Sequence, residues 1–237
     1  MYRINFYQKC QLGTEFATVL VVNKVLVKNS VFFPPTAARA NGPAEVFADI
    51  KTELIRKSIH FLIALSPGMA AINYPLTVLG LMAGVLGYTI MEHLRLSGIK
   101  VPVISALTDM ASRPRDRGNF VLGPVTLGIG ALLALLLYPS PAACIGIYAL
   151  AFGDGFAAPI GKLFGKTRPA FLFGKSVEGS VACFTATYIA ALMVSRNFTI
   201  SLAAALTATA VEALPLEDYD NIVLPLVVAF VVQLAMH

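Results

Sequence analysis

Charged residues are scarce in this chain of 237 residues, because they make up only 13% of it while 57% is hydrophobic. Soluble domains carry about 25% charged residues, so this scarcity excludes an ordinary soluble domain. The remaining charge is biased, with 18 Lys and Arg against 13 Asp and Glu. Basic residues accumulate in the cytoplasmic loops of membrane proteins, and no stretch interleaves basic and aromatic residues. We therefore expect an integral membrane protein and exclude nucleic-acid binding.

Tryptophan is absent and cysteine is rare. Without tryptophan, and with tyrosine and phenylalanine scattered, the sequence shows no clear aromatic belt. The three cysteines, Cys10, Cys144 and Cys183, lie far apart and form no CxxC pair. This spacing excludes a disulfide framework and favours buried structural thiols.

Hydrophobic runs follow one another from Ile50 onward and predict an all-α, polytopic fold with about seven transmembrane helices. Membrane β-structure is disfavoured, because the runs do not alternate in hydrophobicity. The first span contains Pro67-Gly68 and is expected to be broken or re-entrant. The predicted spans are Ile59–Asn73, Tyr74–Met91, Phe120–Tyr138, Pro141–Pro159, Val177–Ser195, Phe198–Leu214 and Ile222–Met236.

Residues 1–45 differ from the rest, because no apolar piece in them approaches the roughly 20 residues of a spanning helix. We predict a poorly ordered or surface-lying N-terminal extension there, followed by a membrane-embedded domain of residues 46–237.

Basic residues cluster in the loops on one predicted face, and the opposite turns hold a single cation, Arg196. The positive-inside rule makes the basic face cytoplasmic, which predicts a protein of the cytoplasmic (inner) membrane. Acidic residues lie near the same face, an arrangement that suits an enzyme taking a soluble nucleotide from the cytoplasm. A transporter or lipid-binding protein stays open as an alternative, although transporters more often place charges at the bilayer midplane.

The segment Phe152–Ser180 combines an acid with cations and many glycines. Asp154 lies between two glycines, and a carboxylate so placed can hold a divalent cation. Lysines on a glycine-rich loop can hold phosphate. The segment therefore predicts a nucleotide or phosphate site at the membrane surface, with a basic loop and an acidic cap as the alternative. Its charged residues are Asp154, Lys162, Lys166, Arg168, Lys175 and Glu178.

Gly174-Lys175-Ser176 resembles the end of a P-loop, but Pro169 stands where that motif needs its first glycine. No strand precedes the motif, so a P-loop is excluded. Lys175 nevertheless lies at the start of the fifth span, where a helix N-terminus attracts phosphate. Ser176 is expected either to donate to a phosphate oxygen or to cap the helix.

Glu53, Lys57 and His60 fall on one face of a predicted helix, with Arg56 alongside. This group is either a snorkelling basic cap with its counter-ion or part of a site. His60 is correspondingly either a proton or phosphate ligand or a hydrogen-bonded interfacial histidine.

Two further carboxylates lie at the ends of apolar spans. Glu92 precedes Arg95 by three residues, which predicts an ion pair, a metal ligand or an acceptor for the proton of a lipid hydroxyl. Glu212 lies within an apolar helix, where an unpaired carboxylate is costly. A metal ion or a lysine of Phe152–Ser180 is its expected partner.

Taken together, these motifs resemble the phytol kinase, dolichol kinase and CTP-dependent diacylglycerol kinase family. The matching motifs cover about Ile50 to Pro225. They are E-x-x-R-K-x-x-H at Glu53–His60, the Glu92/Arg95 pair, GDG at Gly153–Gly155, G-K-x-x-G-K at Gly161–Lys166, GKSVEGS at Gly174–Ser180, and a late glutamate followed by Asp220-Asn221 and Pro225.

The resemblance implies a membrane-embedded catalytic domain that transfers a phosphoryl group from a nucleoside triphosphate, typically CTP, to a lipid alcohol with Mg²⁺. The alcohol would be phytol, a polyprenol or dolichol, or diacylglycerol. Asp154 would bind the metal with Glu178 nearby, and either Glu92 or Glu212 would orient or deprotonate the alcohol. The implied catalytic residues are Asp154, Glu92, Glu212 and His60, and the implied phosphate ligands are Lys162, Lys166, Lys175, Ser176, Gly174 and Arg56.

Phosphatidate cytidylyltransferase shares the GD…K…VEG layout and is the alternative within the resemblance. Its C-terminal signature combines K-R…K-D, H-G-G and D-R-x-D. This chain has EDYDNIVLPL and no HGG, so the kinase is favoured. The sequence leaves open which alcohol and nucleotide are used, and the oligomeric state.

Overall fold

The protein is described from a computed structural model, which covers residues 43–99, 102, 108, 116 and 118–236. Every regular element within these residues is helical, and the all-α prediction is confirmed. The predicted N-terminal extension lies outside the described residues, except for its last three positions, which begin the first helix.

The helices follow one another with short connections. A π-helical segment, Ala149–Asp154, joins α5 to α6, and short 3₁₀ turns occupy Ala170–Leu172 and Glu217–Tyr219. The helices are α1 Pro43–Ile63, α2 Leu65–Ile72, α3 Tyr74–Leu96, α4 Gly123–Leu137, α5 Ala142–Tyr148, α6 Gly155–Leu163, α7 Val177–Ser195, α8 Phe198–Ala213 and α9 Asp220–Ala235.

Four helical segments of the described chain are long and apolar enough to cross a membrane, so the predicted count of seven spans is not confirmed. Two further apolar helices, α4 and α8, are shorter. The first predicted span is divided between α1 and α2, with the break at Ala64. The four long segments are Tyr74–Leu96, Ala142–Leu163, Val177–Ser195 and Glu217–Ala235.

Polar residues in the turns determine where several helices begin. The Asn73 side chain accepts a hydrogen bond from the Leu76 backbone N–H at the start of α3. Asn197 does the same for Thr199 and Ile200 at the start of α8. These caps satisfy backbone donors that a helix cannot satisfy internally, which fixes where α3 and α8 begin.

The continuous helix Ala142–Leu163 is the most buried of the long segments, and α3 is the least buried. Glycines let neighbouring helices approach α9 closely, since a Cβ at Gly146 would lie 2.4 Å from the carbonyl oxygen of Pro225. A Cβ at Gly130 would lie 2.0 Å from the carbonyl oxygen of Asn221. Close helix packing through small residues is usual in membranes, and here it gathers the polar helix ends around α5 and α6.

Candidate functional site

A cavity of about 290 Å³ lies among the polar helix ends, and five basic and five acidic side chains line it. Its basic residues are Arg56, Lys57, Lys162, Arg168 and Lys175, and its acidic residues are Glu53, Asp154, Glu212, Glu217 and Asp220. Of the predicted site residues, the lining includes Arg56, Asp154, Lys162, Gly174, Lys175, Ser176 and Glu212.

Asp154 is the last residue of the π-helical segment and is buried at the cavity wall. The buried Lys57 ammonium donates a hydrogen bond to its Oδ2 atom. His60 Nδ1 lies 3.2 Å from the same oxygen, although its N–H has no aligned hydrogen-bond acceptor. His60 therefore lies behind Asp154 and does not line the cavity.

The glycines on either side of Asp154 serve packing. Neither has a positive φ, so backbone freedom is not what the site needs from them. A Cβ at Gly153 would lie 2.4 Å from Thr187 Oγ1, and one at Gly155 would lie 3.0 Å from the Phe61 ring. The two glycines thus let α7 and α1 approach the π-helical segment, a feature that is frequent at functional sites.

Glu53 connects two helices at the cavity. Its Oε1 accepts a hydrogen bond from Arg56 at 2.5 Å, and its Oε2 accepts one from Lys162 at 3.0 Å. Burial lowers the pKa of Arg56, but the charge of Glu53 and its hydrogen bond raise that pKa further, so the guanidinium stays charged. The predicted face of α1 is therefore part of the site and is buried.

Glu212 pairs with Lys175, which confirms the predicted lysine partner. The Lys175 ammonium lies 3.1 Å from Glu212 Oε1 and also donates to the backbone carbonyl of Glu212. The other carboxylate oxygen, Oε2, is buried and has no hydrogen-bond partner among the described residues. One oxygen of Glu212 is thus held by a cation while the other is available to a ligand.

Glu178 does not line the cavity, in contrast to its predicted place beside the metal. Its carboxylate accepts hydrogen bonds from the backbone N–H groups of Lys166 and Thr167 at 3.0 and 3.2 Å. The Lys166 side chain is exposed and is also absent from the cavity lining. A carboxylate next to a glycine-rich loop can bind either a ligand or the loop itself, and the sequence pattern does not distinguish the two.

Ser176 caps α7, since its hydroxyl accepts a hydrogen bond from the Gly179 backbone N–H at 3.1 Å. Of the two expected roles of Ser176, the structure shows capping of the helix. Ser176 also lines the cavity. Gly161 of α6 packs against it, because a Cβ there would lie 2.7 Å from Ser176 Oγ. The close contact holds the start of α7 against the cavity wall.

Glu92 also lies outside the cavity lining. It is fully buried, accepts two hydrogen bonds of 2.8 Å from the Arg95 guanidinium and accepts another from the Val121 backbone N–H at 3.0 Å. The ion pair predicted for Glu92 is observed. It joins the end of α3 to the residues that precede α4, so Glu212, and not Glu92, is the carboxylate that lines the cavity.

The carboxylates of the cavity fit a magnesium site that is completed by phosphate. The described residues contain no cluster of three His, Cys, Asp or Glu that could hold a metal alone. Mg²⁺ is usually held by one or two carboxylates together with waters and substrate phosphates. Asp154, Glu212 and Asp220 come from three different helical segments and all line the cavity, so such a shared site is available.

Sequence reasoning gave no site role to three lining residues, Lys57, Glu53 and Asp220. Lys57 and Glu53 share a face with His60, and that spacing was the signal that could have identified them. Asp220 was read only as part of a motif, because nothing local shows that the start of α9 reaches the cavity.

The sequence is similar to several curated kinases of plants. Probable chloroplastic phytol kinase of Triticum aestivum is 31% identical over 139 residues, which are 51% of this chain and 46% of the wheat protein. The chain is thus similar to a protein named as a phytol kinase. Probable chloroplastic phytol kinase of Zea mays is 26% identical over 200 residues (75% of this chain and 65% of the maize protein). Chloroplastic farnesol kinase of Arabidopsis thaliana is 29% identical over 194 residues (71% and 61%).

These alignments confirm the predicted resemblance to lipid-alcohol kinases. The chain spans about half to two thirds of the length of the curated relatives that it matches. No family model and no solved structure matches it. The names of the relatives specify chloroplasts, so the predicted cytoplasmic membrane stays a prediction.

Proposed function

We propose that the protein is a lipid kinase that transfers the γ-phosphate of a nucleoside triphosphate to the hydroxyl of an isoprenoid alcohol such as phytol or farnesol. The observation that carries the proposal is the cavity in which Arg56, Lys162 and Lys175 meet Asp154 and Glu212. Three of the four described segments that are long enough to cross a membrane contribute residues to this cavity. The named activities of the relatives support the same acceptor class. CTP is the proposed donor, as in the family that the motifs resemble.

The cations of the cavity suit phosphoryl transfer, which depends mainly on positioning and charge neutralisation. Lys162 and Lys175 extend from the ends of two helices and are partly exposed, so their ammonium groups can move from a carboxylate to a phosphate oxygen. Arg56 adds a planar guanidinium that can contact two phosphate oxygens at once. These three residues are the proposed triphosphate ligands.

Glu212 is the proposed base. Its unpartnered Oε2 can accept the proton of the alcohol, while Lys175 holds Oε1 in place. The alcohol oxygen then forms a bond to the γ-phosphorus, and the bond from that phosphorus to the β–γ bridging oxygen breaks. The nucleoside diphosphate leaves with the electron pair of that bond.

Asp154 and Asp220 are the proposed carboxylate ligands of Mg²⁺, with Lys57 holding Asp154 in position. When bound, the ion would supply positive charge to the phosphate oxygens as the leaving group departs. The cavity is proposed to open on the side of the membrane that holds the nucleotide, where the alcohol enters laterally from the bilayer.

The test incubates the purified protein with Mg²⁺, a γ-labelled nucleotide (CTP, ATP or UTP) and one alcohol from a panel. The panel contains phytol, farnesol, a polyprenol and diacylglycerol, and phosphatidate serves as a separate acceptor. Label in a lipid phosphate supports the kinase. Label only in released pyrophosphate with phosphatidate would identify a cytidylyltransferase. No release or transfer of label from any nucleotide in any assay would favour a transporter or lipid-binding protein.

Lys175→Met and Lys51→Met form a matched pair of variants. Lys175 lines the cavity, whereas Lys51 is exposed on α1 and absent from the lining. Loss of activity in Lys175→Met with full activity in Lys51→Met supports the proposed site. Equal activity in both variants would contradict it.

A further inference from the structure

The loop of residues 164–176 exposes all three of its phenylalanines to the surroundings. Phe164, Phe171 and Phe173 have exposed fractions of 65%, 74% and 59%. Exposed apolar surface of this kind usually marks an interaction site.

The framework of this loop is ordered, so the phenylalanines are not free to collapse inward. Arg168 donates to the carbonyl oxygens of Gly161 and Gly174 at 2.8 and 2.7 Å. The Val177 backbone N–H donates to the Thr167 carbonyl at 2.9 Å. Glu178, just beyond the loop, accepts hydrogen bonds from the backbone N–H groups of Lys166 and Thr167 near its start.

Phe173 is held with a positive φ of 50°. This backbone conformation is unfavourable for a bulky residue. Its neighbour Gly174 has a φ of +88° and adopts its conformation without that cost. The loop therefore holds an exposed aromatic side chain in a strained position, which indicates that the exposure serves a purpose.

The position of the loop in the chain identifies the surface that it meets. It joins the end of the candidate span Ala142–Leu163 to the start of the candidate span Val177–Ser195. Both of its ends are therefore at the edge of a bilayer. Lysine and arginine combined with phenylalanine are typical of segments that lie in the headgroup region of anionic membranes. The loop carries the exposed Lys166 beside its phenylalanines, while the Arg168 guanidinium is bonded within the loop.

We propose that the 164–176 loop is a membrane-docking element, in which Phe164, Phe171 and Phe173 insert into the headgroup region of an anionic bilayer. Lys166 contacts the lipid phosphates there, which accounts for its exposure and its absence from the cavity lining. Because Gly174, Lys175 and Ser176 also line the cavity, insertion holds the cavity at the depth of the lipid headgroups. The proposal does not depend on the reaction that the cavity catalyses.

The absence of tryptophan from the chain gives a direct test. Phe171→Trp introduces a single fluorescent reporter in the loop, and Lys51→Trp introduces one at an exposed control position on α1. Each variant is reconstituted in nanodiscs of phosphatidylcholine and phosphatidylglycerol, with and without bromine on the upper part of the acyl chains. Phe164→Trp is a second reporter in case Phe171→Trp does not fold.

We expect the emission of Phe171→Trp to shift to shorter wavelength, to be quenched by the brominated lipid and to be protected from acrylamide. The emission of Lys51→Trp should show the reverse pattern. Adding Lys166→Gln to the Phe171→Trp variant should reduce the bromine quenching in anionic nanodiscs only.

Two results would overturn the proposal. Quenching of both loop reporters by acrylamide and not by bromine would place the loop in water. Protection from both quenchers, varying with the number of protein copies per nanodisc, would mean that a second copy covers the phenylalanines.

Discussion

Breaking the Lys57–Asp154 pair should destabilise the protein strongly, whereas replacing both partners should not. Lys57 is 2% exposed and Asp154 is 5% exposed, and the lysine donates directly to the carboxylate. Removing one partner of a buried ion pair leaves an uncompensated charge and costs about 3–5 kcal/mol. An apolar pair of similar volume is often neutral or stabilising.

The expected loss of stability can be converted to a change in the melting temperature, Tm. A change of 1 kcal/mol shifts the Tm of a domain of 150–250 residues by about 2–4 °C. Lys57→Met should therefore lower the Tm by about 6–20 °C, because the Asp154 charge stays buried. The double variant Lys57→Met/Asp154→Leu should recover most of this loss.

The assay is thermal unfolding in detergent micelles, followed with a thiol-reactive dye. Cys183 is fully buried and Cys144 is partly exposed, so in a background with Cys10 and Cys144 replaced by serine the dye reports the exposure of Cys183 on unfolding. The double variant should be stable and inactive, which separates the structural role of the pair from its chemical role. If the Tm losses of the two single variants simply add in the double variant, the two side chains are not energetically coupled and the reasoning is wrong.

The other predictions concern the remaining carboxylates, a glycine contact and the metal. Glu212→Gln should reduce turnover by more than about 100-fold with little change in Tm, as expected for loss of a general base. Glu92→Gln should mainly lower the Tm. The opposite pattern would make Glu92 the base. Gly161→Ala should destabilise the protein, because the new Cβ would lie 2.7 Å from Ser176 Oγ. Gly80→Ala is the control and should not destabilise it, because no atom lies within 4 Å of a Cβ at that position. Equal Tm values for the two variants would refute the contact. Titration calorimetry should show that Mg²⁺ strengthens nucleotide binding by about 5–150-fold, because the cavity carboxylates need a cation once phosphate displaces their lysines. Equal affinity in EDTA would contradict this coupling.

The local chemistry of the site could be predicted from the sequence. Asp154 and Lys175 stand out because charge is rare in the apolar chain, and the three-residue spacing on α1 places Lys57 beside His60. The predicted apolar helical runs occur in the observed order over the described residues, but the predicted count of seven spans is not confirmed. These features depend on composition and short spacings, which are local properties.

The helix lengths and the glycine roles were harder to predict. Hydropathy predicts a span of Pro141–Pro159, but it shows neither the π-helical segment within it nor the continuation of the helix beyond Pro159 to Leu163. The glycines around Asp154 suggested a setting in which its carboxylate holds a divalent cation. Their actual role depends on Thr187 and Phe61, which are distant in sequence.

The sequence alone determined that this is an apolar helical protein with a charged, glycine-rich segment, and its motifs determined the family resemblance. Only the tertiary structure decided which charges meet. Glu53 reaches Lys162 across 109 residues, and Asp154 reaches Lys57 across 97. Glu178 and Glu92 have equally suggestive local sequences, yet they bind backbone N–H groups and a neighbouring arginine away from the cavity. The physical reason is that a buried carboxylate must be satisfied by whichever donors the packed helices bring near it, and that packing is not encoded in any single segment.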